Sequence, residues 1–150
     1  MTARRTSPSM GGGYTLLELL LVMVVVVVLG LATYPVFQSL VLKARRSDAH
    51  TALMQLQQCQ ERWRAQNHRY AHLAELGLPT ASPLGHYRLD VANPGASGYE
   101  LVAYAVGNQV LDAPCQVMRL IQTQGDTAYA SGPDDTTHNS ETVNRRCWPR

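Results

Sequence analysis

Residues able to do chemistry lie near both ends of the chain. Close to the start, Gly11-Gly12-Gly13 precedes Tyr14, and Glu18 is the last charge before Lys43. Three glycines make an extended, accessible segment that a protease can bind. A carboxylate at the mouth of an apolar run is costly in hydrocarbon and calls for a cationic partner. Close to the end, Arg145, Arg146 and Arg150 surround Trp148, the residue types that contact phosphate and stack on bases. His68 and His72 stand four apart and would face one metal if that stretch were helical, but no third ligand accompanies them. Asp134, Asp135, Asn139 and Glu141 are rich in oxygen yet lack the spacing of a calcium loop, so a solvated turn is the preferred reading. No nucleophile motif, phosphate loop or zinc spacing occurs, so neither an enzyme nor a bound cofactor or metal is expected.

The element that must position Glu18 is hidden by the averages. The chain has 150 residues, a formal charge of +2 and 45% hydrophobic residues, and its mean hydropathy is −0.15. These values describe an ordinary soluble domain and exclude a polytopic membrane protein, a disordered chain and a strongly basic nucleic-acid binder. Yet 24 consecutive residues between Glu18 and Lys43 carry no charge, and 19 of them are apolar. As a helix, this run is about 36 Å long, enough for a hydrocarbon core of about 30 Å. Val24 to Val28 are weak helix formers in water, but in lipid the backbone must satisfy itself internally and the helix is retained.

Three readings compete for residues 1–42. A cleaved secretory signal with Arg4 and Arg5 as its basic region has a shorter apolar core than this one and a small-residue cleavage site after it. A plain signal anchor satisfies the positive-inside rule but leaves Glu18 and the glycines unexplained. The third reading uses both: a cut after Gly13 makes Tyr14 the new N-terminus and Glu18 its fifth residue. Gly13-Tyr14-Thr15-Leu16-Leu17-Glu18 resembles the processing site of type IV pilins and pseudopilins, and Pro35 falls at the twenty-second residue of the resulting chain, where such pilins usually carry proline. Tyr14 stands in place of the commoner phenylalanine. The resemblance implies cleavage by a prepilin peptidase between Gly13 and Tyr14, N-methylation of Tyr14, and an inner-membrane precursor whose head faces the periplasm. It places the assembled subunit in a pilus on the cell surface.

Glu18 and Pro35 are the expected assembly residues. Glu18 is mildly favoured by the helix dipole, and that is its plainest account. In a filament built from apolar helices, its pairing with the Tyr14 amine of its own or a neighbouring subunit would set the axial register. Pro35 removes the hydrogen bond to the Leu31 carbonyl. The weakened stretch Gly30–Pro35 is either an ordinary kink or a place where the helix melts on leaving the bilayer.

Beyond Leu42 the helix is expected to continue. Lys43, Arg45, Arg46 and Asp48 mark its exit from the membrane, and Ala49, Ala52, Leu53, Leu56, Cys59 and Trp63 recur at helical spacing as far as Gln66-Asn67. Residues 70–79 read as a connector whose Tyr and Leu side chains pack back on the domain. The period then becomes two, with strands expected over His86–Val91, Tyr99–Val106, Gln116–Gln122 and Thr127–Ala130. The expected fold is therefore α+β: a long N-terminal helix, half for the membrane and half amphipathic, packed on a four-stranded antiparallel sheet. The expected organisation is a leader at 1–13, an apolar helix at 14–42 and a head at 43–150.

Ser131–Arg150 reads as a loop that needs tying down. A disulfide between Cys115 and Cys147 would close it and contribute about 3–4 kcal/mol on the chain-entropy model, given an oxidising compartment. Cys59 reads as a small buried hydrophobe, with an intermolecular thiol as the alternative.

Gly85-His86-Tyr87, Gly98-Tyr99-Glu100-Leu101-Val102-Ala103, Cys115 and Cys147-Trp148 narrow the resemblance to the PilE-like branch of minor pilins. It implies a low-abundance structural subunit that helps prime or compose a type IV pilus beside other major and minor pilins. DNA-uptake pilins belong to the same family, so Arg145, Arg146, Trp148 and Arg150 are the residues expected to touch DNA if this chain does, against the plainer account of a solvated charged tail. A type II secretion pseudopilin is a weaker option, because the calcium motif of those proteins is not seen. Removing Arg4 and Arg5 with the leader leaves 11 basic side chains against 11 acidic ones, so the surplus charge belongs to targeting.

Overall fold

In the computed structural model, residues 15–148 are described, apart from the side chains of residues 32 and 33. The expected cleavage pair Gly13–Tyr14 and the terminal Arg150 lie outside the described residues. The chain divides into two units after Phe37, and helix α1 (Leu16–Asn67) contributes to both.

In the first unit, Thr15 starts the helix. Its hydroxyl accepts the Glu18 N–H at 3.3 Å, and its carbonyl accepts the N–H groups of Glu18 and Leu19. A Thr three residues before a Glu is the sequence of a capping box, and here the Thr half is formed. From Leu16 to Phe37 the large apolar side chains that are described are exposed, from 49% at Val25 to 83% at Leu16. Among the described residues this is the one helix long and apolar enough to cross a membrane. The helix runs on through Pro35.

In the second unit the same helix becomes a wall of the core. Ala49, Ala52, Leu53 and Leu56 are buried, the spacing of one helical face. The next member of that face is Gln60, fully buried, whereas Cys59 is only half-buried. At 3.6 residues per turn, Gln60 stands in line with Leu53 and Leu56, and Cys59 falls on the flank. The core reading of Cys59 is corrected accordingly. Gln60 is tolerated because its amide oxygen accepts the Ala71 N–H at 2.8 Å and its amide nitrogen donates to the Ala71 carbonyl at 2.7 Å. The helix ends at His68, whose φ of 55° and N–H to the Arg64 carbonyl make a left-handed cap.

Four antiparallel strands follow in a simple meander, ordered β1 (Tyr87–Ala92), β2 (Gly98–Ala105), β3 (Val117–Thr123) and β4 (Asp126–Gly132). Register places Leu89 opposite Ala103 and Leu101 opposite Leu120, so the residues of one sheet face meet the helix. Tyr70 and Leu73 of the connector close the same core. Gly98 is required by close approach: a Cβ there would stand 2.2 Å from the Gln122 carbonyl oxygen of β3.

The strands lie within a residue or two of their expected positions, except that β4 is longer. Two 3-10 turns, Gly107–Leu111 and Ala113–Cys115, connect β2 to β3. The larger correction is at the C-terminus, where α2 (Glu141–Cys147) stands inside the stretch expected to be loop. Seven residues are too few for a helix to hold itself in water. This one is held at its end by Cys147, which is bonded to Cys115.

Candidate functional site

The charged residues after Leu42 do more than mark a membrane exit. Arg46 and Asp112 are both buried and make a two-pronged pair, Nε to Oδ2 and Nη2 to Oδ1, each at 2.7 Å. The remaining Nη1 donates to the Arg146 carbonyl at 2.6 Å. One guanidinium thus ties α1 to the turn before Cys115 and to the end of α2. Asp48, two residues later and also buried, accepts the Ser82 hydroxyl and the N–H groups of Leu84 and His86. Both readings of these residues as exit markers are corrected: their charges are matched by partners inside the head, which is what permits burial. Spacing offered one hint, because Arg46 stands three residues before Ala49 and Asp48 four before Ala52, in line with the buried stripe.

Asp112 also accepts from the buried Gln109 amide at 3.1 Å, and that amide donates to the Tyr87 hydroxyl at 3.0 Å. Burial pushes the Tyr87 hydroxyl up to about 12. It remains a neutral member of this network across physiological pH.

The disulfide joins Cys115 and Cys147 with their Cα atoms 5.6 Å apart. Trp148, next along the chain, is packed rather than presented. Its ring stacks on His50 at 4.7 Å and lies against Tyr129 at 4.8 Å, while Nε1 donates to the Ala130 carbonyl at 2.8 Å. With 8% of its surface exposed, Trp148 offers no open face to a nucleic-acid base. Its assignment as a stacking platform is therefore revised to a bolt between α1 and β4. Arg145 pairs with Glu141 one turn earlier on α2. Arg146 has an exposed side chain and lines, with Lys43, Ser47 and His50, a groove of about 310 Å³.

The oxygen-rich stretch is closed on itself. Asp134 accepts the N–H groups of Thr136 and Thr137 and both their hydroxyls, and the Thr137 N–H in particular holds its carboxyl down at about 2. Asp135 is engaged by Arg119, which also pairs with Glu100 across the outer face of the sheet. Asn139 donates to the Pro114 carbonyl and to Ser131. His68 caps the end of α1, and His72 lies in the following turn.

A long helix whose second half backs a four-stranded antiparallel meander, closed by a C-terminal disulfide, defines a type IV pilin. A family model described as type IV minor pilin ComP, DNA uptake sequence receptor, matches residues 35–119, from Pro35 in α1 to Arg119 in β3. The chain belongs to this minor pilin family. No curated protein matches it. Membership implies other pilins as partners and a structural rather than a catalytic role.

Proposed function

We propose that this chain enters type IV pili as a low-abundance subunit and helps to prime their assembly. In this reading a prepilin peptidase cuts between Gly13 and Tyr14, Tyr14 is methylated, and the subunit waits in the inner membrane with its head in the periplasm. The observation that carries it is the apolar surface of α1 from Leu16 to Phe37, exposed in the isolated subunit and interrupted by the single charge of Glu18. A surface of that extent is stable only in lipid or against other such helices. Pairing of Glu18 with a Tyr14 amine then fixes how far one subunit is drawn up beside the next, and Pro35 lets the helix adjust. Glu18→Val is expected to leave membrane insertion and cleavage intact while abolishing recovery of the subunit in sheared pili. Normal incorporation of that variant would overturn the reading.

A second reading, uptake of DNA, is favoured by the description of the family and by the groove that brings Lys43 and Arg146 together. Here phosphate contact rests on cations alone, since Trp148 is occupied. The binding assay should use a fragment beginning at Gln38, because one beginning after Arg46 loses the buried pair with Asp112. Expected is DNA retardation that weakens with salt, and a log–log salt slope reduced by about 2 in the Lys43→Ala/Arg146→Ala variant. Absence of retardation at low salt removes this reading and leaves the first intact.

A further inference from the structure

The 3-10 turn Gly107–Leu111 is built inside out. Of its polar residues Asn108 faces outward, but Gln109 and the adjoining Asp112 are only 1% and 4% exposed, whereas Val106, Val110 and Leu111 are 38%, 45% and 60% exposed. A connecting turn in water ordinarily does the reverse, turning its polar side chains outward. Single exposed apolar residues are commonplace, but three within six positions, around a polar residue that is turned inward, form a surface suited to an apolar medium.

The position of the turn identifies that medium. Gln109 donates to the carbonyl of Leu42 at 3.2 Å, and Leu42 is the last residue of the uncharged run that begins after Glu18. Asp112 holds Arg46, one turn further along α1. The turn is therefore fastened to the helix at the end of the uncharged run, and Leu40, two residues earlier on that helix, is also exposed. Lys43, the next residue after Leu42, is exposed and supplies a cation at the same level. Apolar side chains flanked by a lysine are the composition of a surface seated at the headgroup boundary.

We propose that Val106, Val110 and Leu111 rest in the interfacial layer of the bilayer that holds α1, so that the unassembled subunit is attached at two points, by its helix and by its head. This rests on the membrane-anchored reading given above. Leaving the membrane for a filament then requires both attachments to be released, and the second orients the head before assembly.

The test places a tryptophan at the turn. Leu111 is mostly exposed, so Leu111→Trp disturbs no packing. The full chain carrying Trp63→Phe and Leu111→Trp is reconstituted in vesicles of phosphatidylethanolamine and phosphatidylglycerol with brominated acyl chains. Trp63→Phe alone serves as the blank and Trp63→Phe/Phe37→Trp as the helix control. Expected is blue-shifted, bromine-quenched emission from both introduced tryptophans, with the quenching at 111 reduced by at least half when Val110→Asp is added. Quenching at 37 without quenching at 111 overturns the proposal and leaves the anchored reading standing. Quenching at neither position overturns both. Blue-shifted emission at 111 that grows with the ratio of protein to lipid and is indifferent to bromine shows that the face meets a second copy, and it also overturns the proposal.

Discussion

The two halves of α1 obey opposite rules within one continuous helix. From Leu16 to Phe37 the large apolar side chains are exposed and the charge at Glu18 sits near the helix start. From Gln38 to Asn67 the apolar face is buried, and so are Arg46, Asp48 and Gln60. In the proposed function the first half has its surroundings supplied from outside, by lipid or by neighbouring subunits. The second has them supplied by its own chain, which delivers Asp112, Ser82 and the Ala71 backbone to its polar side chains. Among the charges that follow the apolar run, polarity alone does not tell which are solvated and which are buried. A charge next to an apolar run is either a solvated boundary or a fastening for the head, and the decision belongs to the partner that tertiary folding brings to it.

If Arg46 is a fastening, its loss should be the most damaging single change in the head. Arg46→Met leaves Asp112 buried without its cation, and a loss of about 3–5 kcal/mol is expected when the head is unfolded by urea in the full chain held in detergent. The double variant Arg46→Met/Asp112→Leu should recover most of it. A boundary charge would behave instead like a surface substitution, and Val26→Ala in the first half should change head stability by less than about 0.5 kcal/mol. Equal effects of Arg46→Met and Val26→Ala would erase the contrast.

The disulfide comes next. Cys147→Ser frees the 32-residue span back to Cys115, and a loss of about 3–4 kcal/mol is expected on the chain-entropy model. Because Arg46 bonds the Arg146 carbonyl beside Cys147, the two losses should couple in a double-mutant cycle. Thermal unfolding with and without reductant gives an independent measure, and an unchanged midpoint would show that α2 is held by packing alone.

The smallest expected effect is a pH dependence at His50. Burial depresses its pKa below the ordinary 6.5, outweighing the hydrogen bond to the Cys147 carbonyl that raises it, and Arg46 adds to the depression. The folded head therefore takes up a proton less readily than the unfolded chain. Stability is complete above 6.5 and falls as pH drops through the depressed value. His50→Phe, which keeps a ring to stack on Trp148, should flatten that decline, and an unchanged pH profile would show that the imidazole is free to protonate where it stands.

What the sequence by itself determined was whatever depends on residues near one another along the chain. The uncharged run to Leu42, the period of 3.6 through Leu56 and the period of two in the strands are all local patterns. Each needs only a helix, a strand or a lipid phase to be read. The Cys115–Cys147 pairing was also legible, because few cysteines are present and one loop stood in need of closure. Tertiary structure decided the rest. It turned Arg46 and Asp48 inward, put Gln60 in the core in place of Cys59, and packed Trp148 between His50 and Tyr129. It also made a helix of Glu141–Cys147 and exposed Val110 and Leu111 beside Leu42. In each case the residue's own chemistry allows either environment, and the choice depends on a partner 11 to 100 positions away along the chain. A buried guanidinium and a solvated one have the same letter in the sequence. Only the fold, by placing a carboxylate 2.7 Å from it, distinguishes them.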